Sequence, residues 1–251
     1  MALSEASPTT DPVRQARVDL AAFHRLAARF ALDDGIWNHF SLTVPGRPEL
    51  FLIKVHGLLC GEVTASNLIA VDGQGNTVEG RGVAEHTGVC IHAPIHRAKP
   101  DAACVLHTHM RYATWLSMVE GGRLMPVSQK SLLFYGRIAY DDHYGGLAVE
   151  EDEGRRMREA LGDNNILILA NHGVIVTGPS VAETFYDLYY LEQCCKEQFT
   201  LVSSGAEPRL IPQDVVALTQ SQYAGVEDGG ADLYFDALKR RLDDEEPDYR
   251  D

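Results

Sequence analysis

The chain has 251 residues, 45% of them hydrophobic and 23% charged, with a formal net charge of −14. That length holds one large domain or two small ones with a substantial core. A surface so acidic repels polyphosphate backbones and anionic bilayers, which argues against nucleic acid and membranes as partners.

Residues 1–11 read as a disordered N-terminus, because "MALSEASPTTD" is polar and has no apolar stretch of the kind a signal peptide carries. From Val13 to Leu32 apolar residues recur at helical spacing. "GIWNHFSLTVPG" alternates like a strand, "LFLIKV" reads as a second, and "LIAVDGQGNTVEG" as a hairpin around Asp72-Gly73. "HTGVCIHAPIHRAKPD" is a predicted helix stopped at Pro100, followed by the buried strand "CVLHTH" and the helix "RYATWLSMV". After a turn near Gly121-Gly122 come short strands between Leu133 and Tyr140, then an amphipathic helix over Val149–Leu161. "NILILANHG" and "VIVTG" are two more strands, and Val181 to about Val202 is a long helix. One further helix is expected near Ala231–Leu242, before an acidic, solvated tail. No apolar run approaches the ~18 residues of a membrane span. The five cysteines, Cys60, Cys90, Cys104, Cys194 and Cys195, form no CxxC pair and read as reduced thiols of a cytoplasmic protein. With no linker visible, the chain reads as one α/β domain over residues 12–203 with a C-terminal extension over 204–251.

Three histidines carry the chemistry. His107 and His109 stand one residue apart at the end of an apolar strand, so they share a face and can close on one ion. His172 in "NHG" also follows a buried strand. Three neutral imidazoles with an open position suit a catalytic ion better than a structural one. Spacing alone leaves the alternative open that these rings merely cap strand ends.

The stretch "IHAPIHRAKPDAACVLHTHMRYATWLS" resembles the central motif of the class II aldolase/adducin family. "ILILANHGVIVTGPSVAETFYDLYYLEQCCKEQ" resembles its second motif, and "WNHFSLTVPG" with "FLIKVHGLLCGEVTASNLIAVDGQGNTVEG" its N-terminal half, so the likeness runs over roughly residues 13–203. The resemblance implies a three-layer αβα sandwich around a largely antiparallel sheet. It also implies a homotetramer with active sites between subunits, and one divalent ion per subunit (Zn, Mn or Fe) on His107, His109 and His172.

The departures from that family shape the rest of the expectation. Its aldolases carry a glutamate four residues before the helix histidine, here His92, and that position is Gly88. Glu85, a helical turn earlier, is the candidate catalytic acid/base; an ordinary carboxylate at a helix start is the alternative. The family's phosphate-holding residues are replaced by His86-Thr87 and His56-Gly57, so the expected substrate is a small acid without phosphate. His39, Lys54, His56, Gly57 and Lys130 are candidate substrate contacts. His39 is the expected donor to a carboxylate or phenol oxygen. Three functions follow from this reading. The first is a metal-dependent carbon–carbon lyase performing aldol cleavage or decarboxylation on a hydroxy or oxo acid, aromatic ones included. The second is a non-haem Fe(II) oxygenase of the same fold. The third is an adducin-like, non-catalytic interaction module.

Overall fold

The computed structural model describes residues 11–224 and 229–251. The expected disorder of residues 1–10 lies outside them; Asp11 is described and caps the first helix through its bond from the Val13 amide. Helix α1 spans Pro12–Arg29, with proline at the first turn where its missing N–H costs nothing. Strands β1 (His39–Val44), β2 (Arg47–Ile53), β3 (Ile69–Asp72) and β4 (Thr77–Glu79) follow as an antiparallel run. Then come α2 (His86–Ala98), β5 (Cys104–Thr108), α3 (Arg111–Ser117), β6 (Ile138–Asp141) and α4 (Glu151–Leu161). The hairpin β7 (Ile166–Leu169) and β8 (Gly173–Gly178) leads into the long α5 (Val181–Ser203), and α6 (Gln213–Ala224) and α7 (Gly230–Glu245) close the chain.

All eight strands join one sheet in the order β4-β3-β2-β1-β5-β8-β7-β6. It is largely antiparallel, as expected; the parallel pair is β6 with β7. Period-2 alternation divides the strand residues between two faces. On one face Phe40, Leu42, Leu106, Val174 and Val176 pack against α1, α3, α5 and α7 through Phe23, Leu26, Leu116, Phe185, Leu188 and Phe235. On the other, Val105, Leu167 and Ile175 meet Ile91 and Ile95 of α2 and Met157 and Leu161 of α4, while Phe51, Ile53 and Val71 meet Val89 and Ala93. Among the described residues no helix is long and apolar enough to cross a membrane. All five cysteines are buried free thiols.

Two expectations need correction. Where short strands were expected between Leu133 and Tyr140, the chain leaves a 3-10 turn over Lys130–Leu133 and forms a single strand, Ile138–Asp141. Among the described residues the C-terminal extension carries two α-helices rather than one, and its tail is anchored. Helix α6 was hidden because it has no apolar stripe: Val215 and Leu218 are exposed. The tail's acids find cations on α1. Arg25 pairs with Glu246 at 3.4 Å and Asp248 at 2.7 Å, and Arg29 with Glu245 and Glu246 at 2.5 Å each. Tyr249 is fully buried, and the carbonyls of Tyr249 and Asp251 accept from the amides of Ala65 and Ser66. A count of charges reads these acids as solvated, because it cannot see the arginines that the fold brings to them.

Candidate metal centre

The sheet order places β8 between β5 and β7, so His172, in the β7–β8 turn just before β8, stands beside the end of β5. Two residues beside it make that turn possible. Asn171 takes φ 56°, a left-handed conformation asparagine tolerates better than most residues. A Cβ at Gly173 would lie 2.6 Å from the Thr108 carbonyl oxygen, so only glycine lets the turn close on the end of β5. The "NHG" triplet is thus a device that sets one imidazole beside two others. The ring centroids of His107, His109 and His172 form a near-equilateral triangle of 4.7, 5.0 and 5.1 Å. One nitrogen from each lies within 4.8 Å of the other two.

The partners of these rings favour a cation. His107 donates Nδ1–H to the Val174 carbonyl at 3.1 Å, which leaves Nε2 as a lone pair. Nδ1 of His109 lies 3.3 Å from Asp34 Oδ2, and its Nε2 is buried without a hydrogen-bond partner. An orphaned buried nitrogen facing two more imidazoles is what a metal ligand looks like without its ion. Burial pushes His107 well below the usual histidine range and His172 to about 4, helped by the neighbouring rings, so both are neutral and able to coordinate at pH 7. The start of α3, directly after His109, is held by Glu192 of α5, whose two oxygens accept from the Tyr112 and Ala113 amides.

Beside this triangle lies a second group, which joins the expected His39 and His92 to Ser41 and His96, two residues the sequence reading did not single out. His39 is the register partner of His107, and their rings stack at 5.0 Å. Nδ1 of His39 lies 2.9 Å from His92 Nε2, and His92 Nδ1 lies 2.5 Å from Ser41 Oγ. Ser41 Oγ is also 2.7 Å from His96 Nε2. The signal was present: His92 and His96 are four apart on α2, and His39 and Ser41 share one face of β1. Gly88 completes the packing. A Cβ there would lie 2.9 Å from His39 Cγ, so the His39 ring fills the space that a side chain at position 88 would need.

Glu85 does cap α2, since its Oε2 accepts from the Gly88 amide at 2.7 Å and from the Thr87 hydroxyl. The same oxygen stands 3.9 Å from His39 Nε2, so capping and facing the site are not exclusive. Burial pushes the Glu85 carboxyl up, but the bonds from Thr87 and Gly88 outweigh it and hold the group below its ordinary value.

The other expected contacts are less engaged. Lys54 is buried, and its ammonium donates to the Ile36 and Leu58 carbonyls at 3.0 Å each. It is within electrostatic reach of Glu85 and His39, yet two of its three N–H groups are spoken for. His56 and Gly57 are exposed, and Gly57 takes φ 93° in the loop after β2. Lys130 forms an ion pair with Glu197 of α5 at 2.5 Å, and among the described residues no hydrogen bond or ion pair ties it to the histidines. Tyr144, half exposed, stands with its ring 6.5 Å from that of His172. It had not been singled out, and no motif marks it.

Comparison with known proteins identifies the family. Residues 18–199 match the Class II Aldolase and Adducin N-terminal domain. A Pseudomonas aeruginosa protein named "putative aldolase class 2 protein" is 39% identical over 94% of this chain and 92% of its own. Alpha-adducin of Rattus norvegicus is 39% identical over 79% of this chain but only 27% of its own length. Among solved structures, an aldolase II superfamily protein from Pseudomonas syringae superposes with a TM-score of 0.90 at 38% identity, over 98% of both chains. L-fuculose 1-phosphate aldolase from Glaciozyma antarctica superposes with a TM-score of 0.83 at 25% identity, over 98% of this chain and 97% of that one.

Proposed function

The chain belongs to the class II aldolase and adducin family, and from that premise we propose that it is a divalent-metal-dependent carbon–carbon lyase acting on a small, non-phosphorylated hydroxy or oxo acid, aromatic acids included. The observation that carries this reading is the triangle of His107, His109 and His172, with the buried Nε2 of His109 lacking any other partner. These three residues would hold one ion per subunit, zinc, manganese or iron, which supplies Lewis acidity worth several kcal/mol to the charge that develops on cleavage. Glu85 stands within reach of the site as acid or base. The phosphate-free substrate is supported by what the replacing residues do: the Thr87 hydroxyl is bonded to Glu85, and His86 Nε2 lies 3.1 Å from the Val149 carbonyl. Neither is free to cradle a phosphate. Helices on both sheet faces support the three-layer αβα reading. We further infer a cytoplasmic homotetramer; light scattering that returns a monomer at micromolar concentration would remove the tetramer.

Gly88 favours a second reading. With the His39 ring filling the place of a carboxylate-bearing side chain, a Fe(II) oxygenase that needs no acid/base glutamate is also served by the three-histidine face. Metal analysis after expression with iron and with zinc is the deciding experiment, followed by turnover of a panel of hydroxy and oxo acids with and without oxygen. Anaerobic carbon–carbon cleavage supports the lyase, and oxygen uptake with iron supports the oxygenase. A protein that binds no metal at this site fails both and leaves the adducin-like interaction module.

A further inference from the structure

The three histidines of the metal centre are not held alike. His107 lies inside the sheet, paired with His39 on β1 and with Ile175 on β8. His172 has its amide bonded to the Leu169 carbonyl at 3.1 Å, in the turn that Asn171 and Gly173 allow. His109 stands one residue beyond the last ladder pair, Thr108 with Val174, and two residues before α3. The sheet therefore fixes its backbone on one side only. The other side depends on what fixes the first turn of α3. That helix has 7 residues, too few to hold its own start, and its first amides need partners from elsewhere. The residue at its N-cap is Met110, whose side chain is buried and makes no capping bond.

Glu192 of α5 fills that gap. Its Oε1 accepts from the Tyr112 amide at 2.8 Å and its Oε2 from the Ala113 amide at 2.9 Å, across 80 and 79 positions of sequence. The residue is 5% exposed, and Leu188, Leu191, Cys194 and Cys195 around it on α5 are buried in the core, so the carboxylate sits on a rigid support. Burial pushes its carboxyl up, while the two amides and the nearby Arg111 and Lys196 act against that. A buried carboxylate is costly. A leucine here would avoid that cost but would leave two amides of α3 without partners and its start free to shift. We propose that Glu192 is a positioning residue for the metal centre: it caps α3 from α5 and thereby sets His109 where its Nε2 meets the nitrogens of His107 and His172. The inference rests on the reading of the three histidines as a metal site. Glu192 acts through the backbone, because both of its oxygens are committed to amides. Asp34, on the far side of the His109 ring, has a side chain 61% exposed and can orient the ring at 3.3 Å without fixing the chain beneath it. Small shifts matter here, since a ligand nitrogen must reach the ion at about 2.0–2.1 Å and a site tolerates displacements of only about 0.5 Å.

Zinc affinity of the full chain, measured by competition with a chromophoric chelator, tests the role. Glu192→Gln keeps the shape but turns one acceptor into an NH2 group facing a backbone N–H, which it cannot bond. The variant should still fill with zinc at saturation, with affinity lowered by about 10- to 100-fold. Leu242→Ala, which empties core space on α7 away from the centre, should weaken folding yet leave zinc affinity within about twofold. Unchanged affinity in Glu192→Gln, or an equal loss in Leu242→Ala, would show that Glu192 serves the fold and not the ligand. In the metal-free protein the Tyr112 and Ala113 amide proton resonances should move upfield in Glu192→Gln; if they stay, the carboxylate does not hold them and the proposal falls. If Glu192→Gln does not fold, Glu192→Asp, which keeps the charge but withdraws it by one methylene, is read in the same two ways. A wild-type chain that binds no zinc fails the proposed function, and the amide resonances still report whether Glu192 holds α3. A wild type that binds zinc beside a variant of equal affinity fails this inference alone.

Discussion

Gly88→Ala opposes two effects whose balance the structure decides. Near the start of a helix an alanine gains up to about 1 kcal/mol over glycine, because glycine loses more backbone freedom on folding. Here the new Cβ would lie 2.9 Å from Cγ and 3.0 Å from Cδ2 of His39. That ring cannot swing away cheaply. It is buried, bonded to His92 and stacked on His107. Overpacking of this kind costs about 1–3 kcal/mol. The net expectation is a loss of about 1–2 kcal/mol, read as a lower urea midpoint with an unchanged slope in the metal-free protein. Repeating the substitution in a His39→Ala background removes the collision, so there Gly88→Ala should be neutral or stabilising, a coupling of about 1–3 kcal/mol between the two positions. If Gly88→Ala stabilises the native background, or costs the same in both, the ring is not what keeps position 88 empty.

Alanine in place of His107, His109 or His172 should each remove most bound metal, read by elemental analysis; a full equivalent retained by the triple variant would refute the centre. Gly154→Ala should cost at least about 2–3 kcal/mol in urea unfolding, since its Cβ would overlap the Cys90 carbonyl of α2, and backbone cannot yield as a side-chain tip does. Burial holds His24 at about 3, and its Nε2 has no partner. A histidine depressed in the folded state costs nothing above its unfolded value of 6.5 and destabilises as pH falls below it, by about 1.4 kcal/mol per unit and about 2 kcal/mol by pH 5. His24→Leu should remove one proton from that slope, measured by urea unfolding between pH 7 and 4; an unchanged slope would show that His24 does not contribute. Glu85→Gln and Glu85→Ser both leave an oxygen able to cap α2 but remove the carboxylate, so turnover should fall by ~10²-fold in both at equal metal occupancy while stability is kept. Near-wild-type activity in either would confine Glu85 to the cap.

The strands and most helices were legible because their periods are strong. "CVLHTH", "NILILANHG" and the long α5 lie where the apolar pattern puts them. What failed lacked a local signal. Helix α6 exposes its apolar residues, and the tail's order comes from Arg25, Arg29 and the burial of Tyr249, more than 200 positions away in sequence from its partners on α1. Periodicity describes one element at a time and cannot report a bond between distant ones.

The same division holds at the site. Identity and spacing pointed to His107, His109 and His172 but left strand-end capping open; the family resemblance selected the metal reading, and the fold brings one nitrogen of each ring within 4.8 Å of the others. Lys54 shows the limit: a cation near a glycine loop reads as a substrate contact, but two backbone carbonyls, Ile36 and Leu58, already hold it. Glu85 shows the opposite limit. Cap and acid/base were framed as alternatives, yet one carboxylate oxygen bonds the Gly88 amide and still stands 3.9 Å from His39. Glycine at 88 is what allows both, because it admits the His39 ring against the helix start while leaving its own amide to Glu85. The exchange is therefore of three positions together: losing the side chain at 88 makes room for the imidazole at 39, and that imidazole turns the capping carboxylate at 85 into a wall of the site.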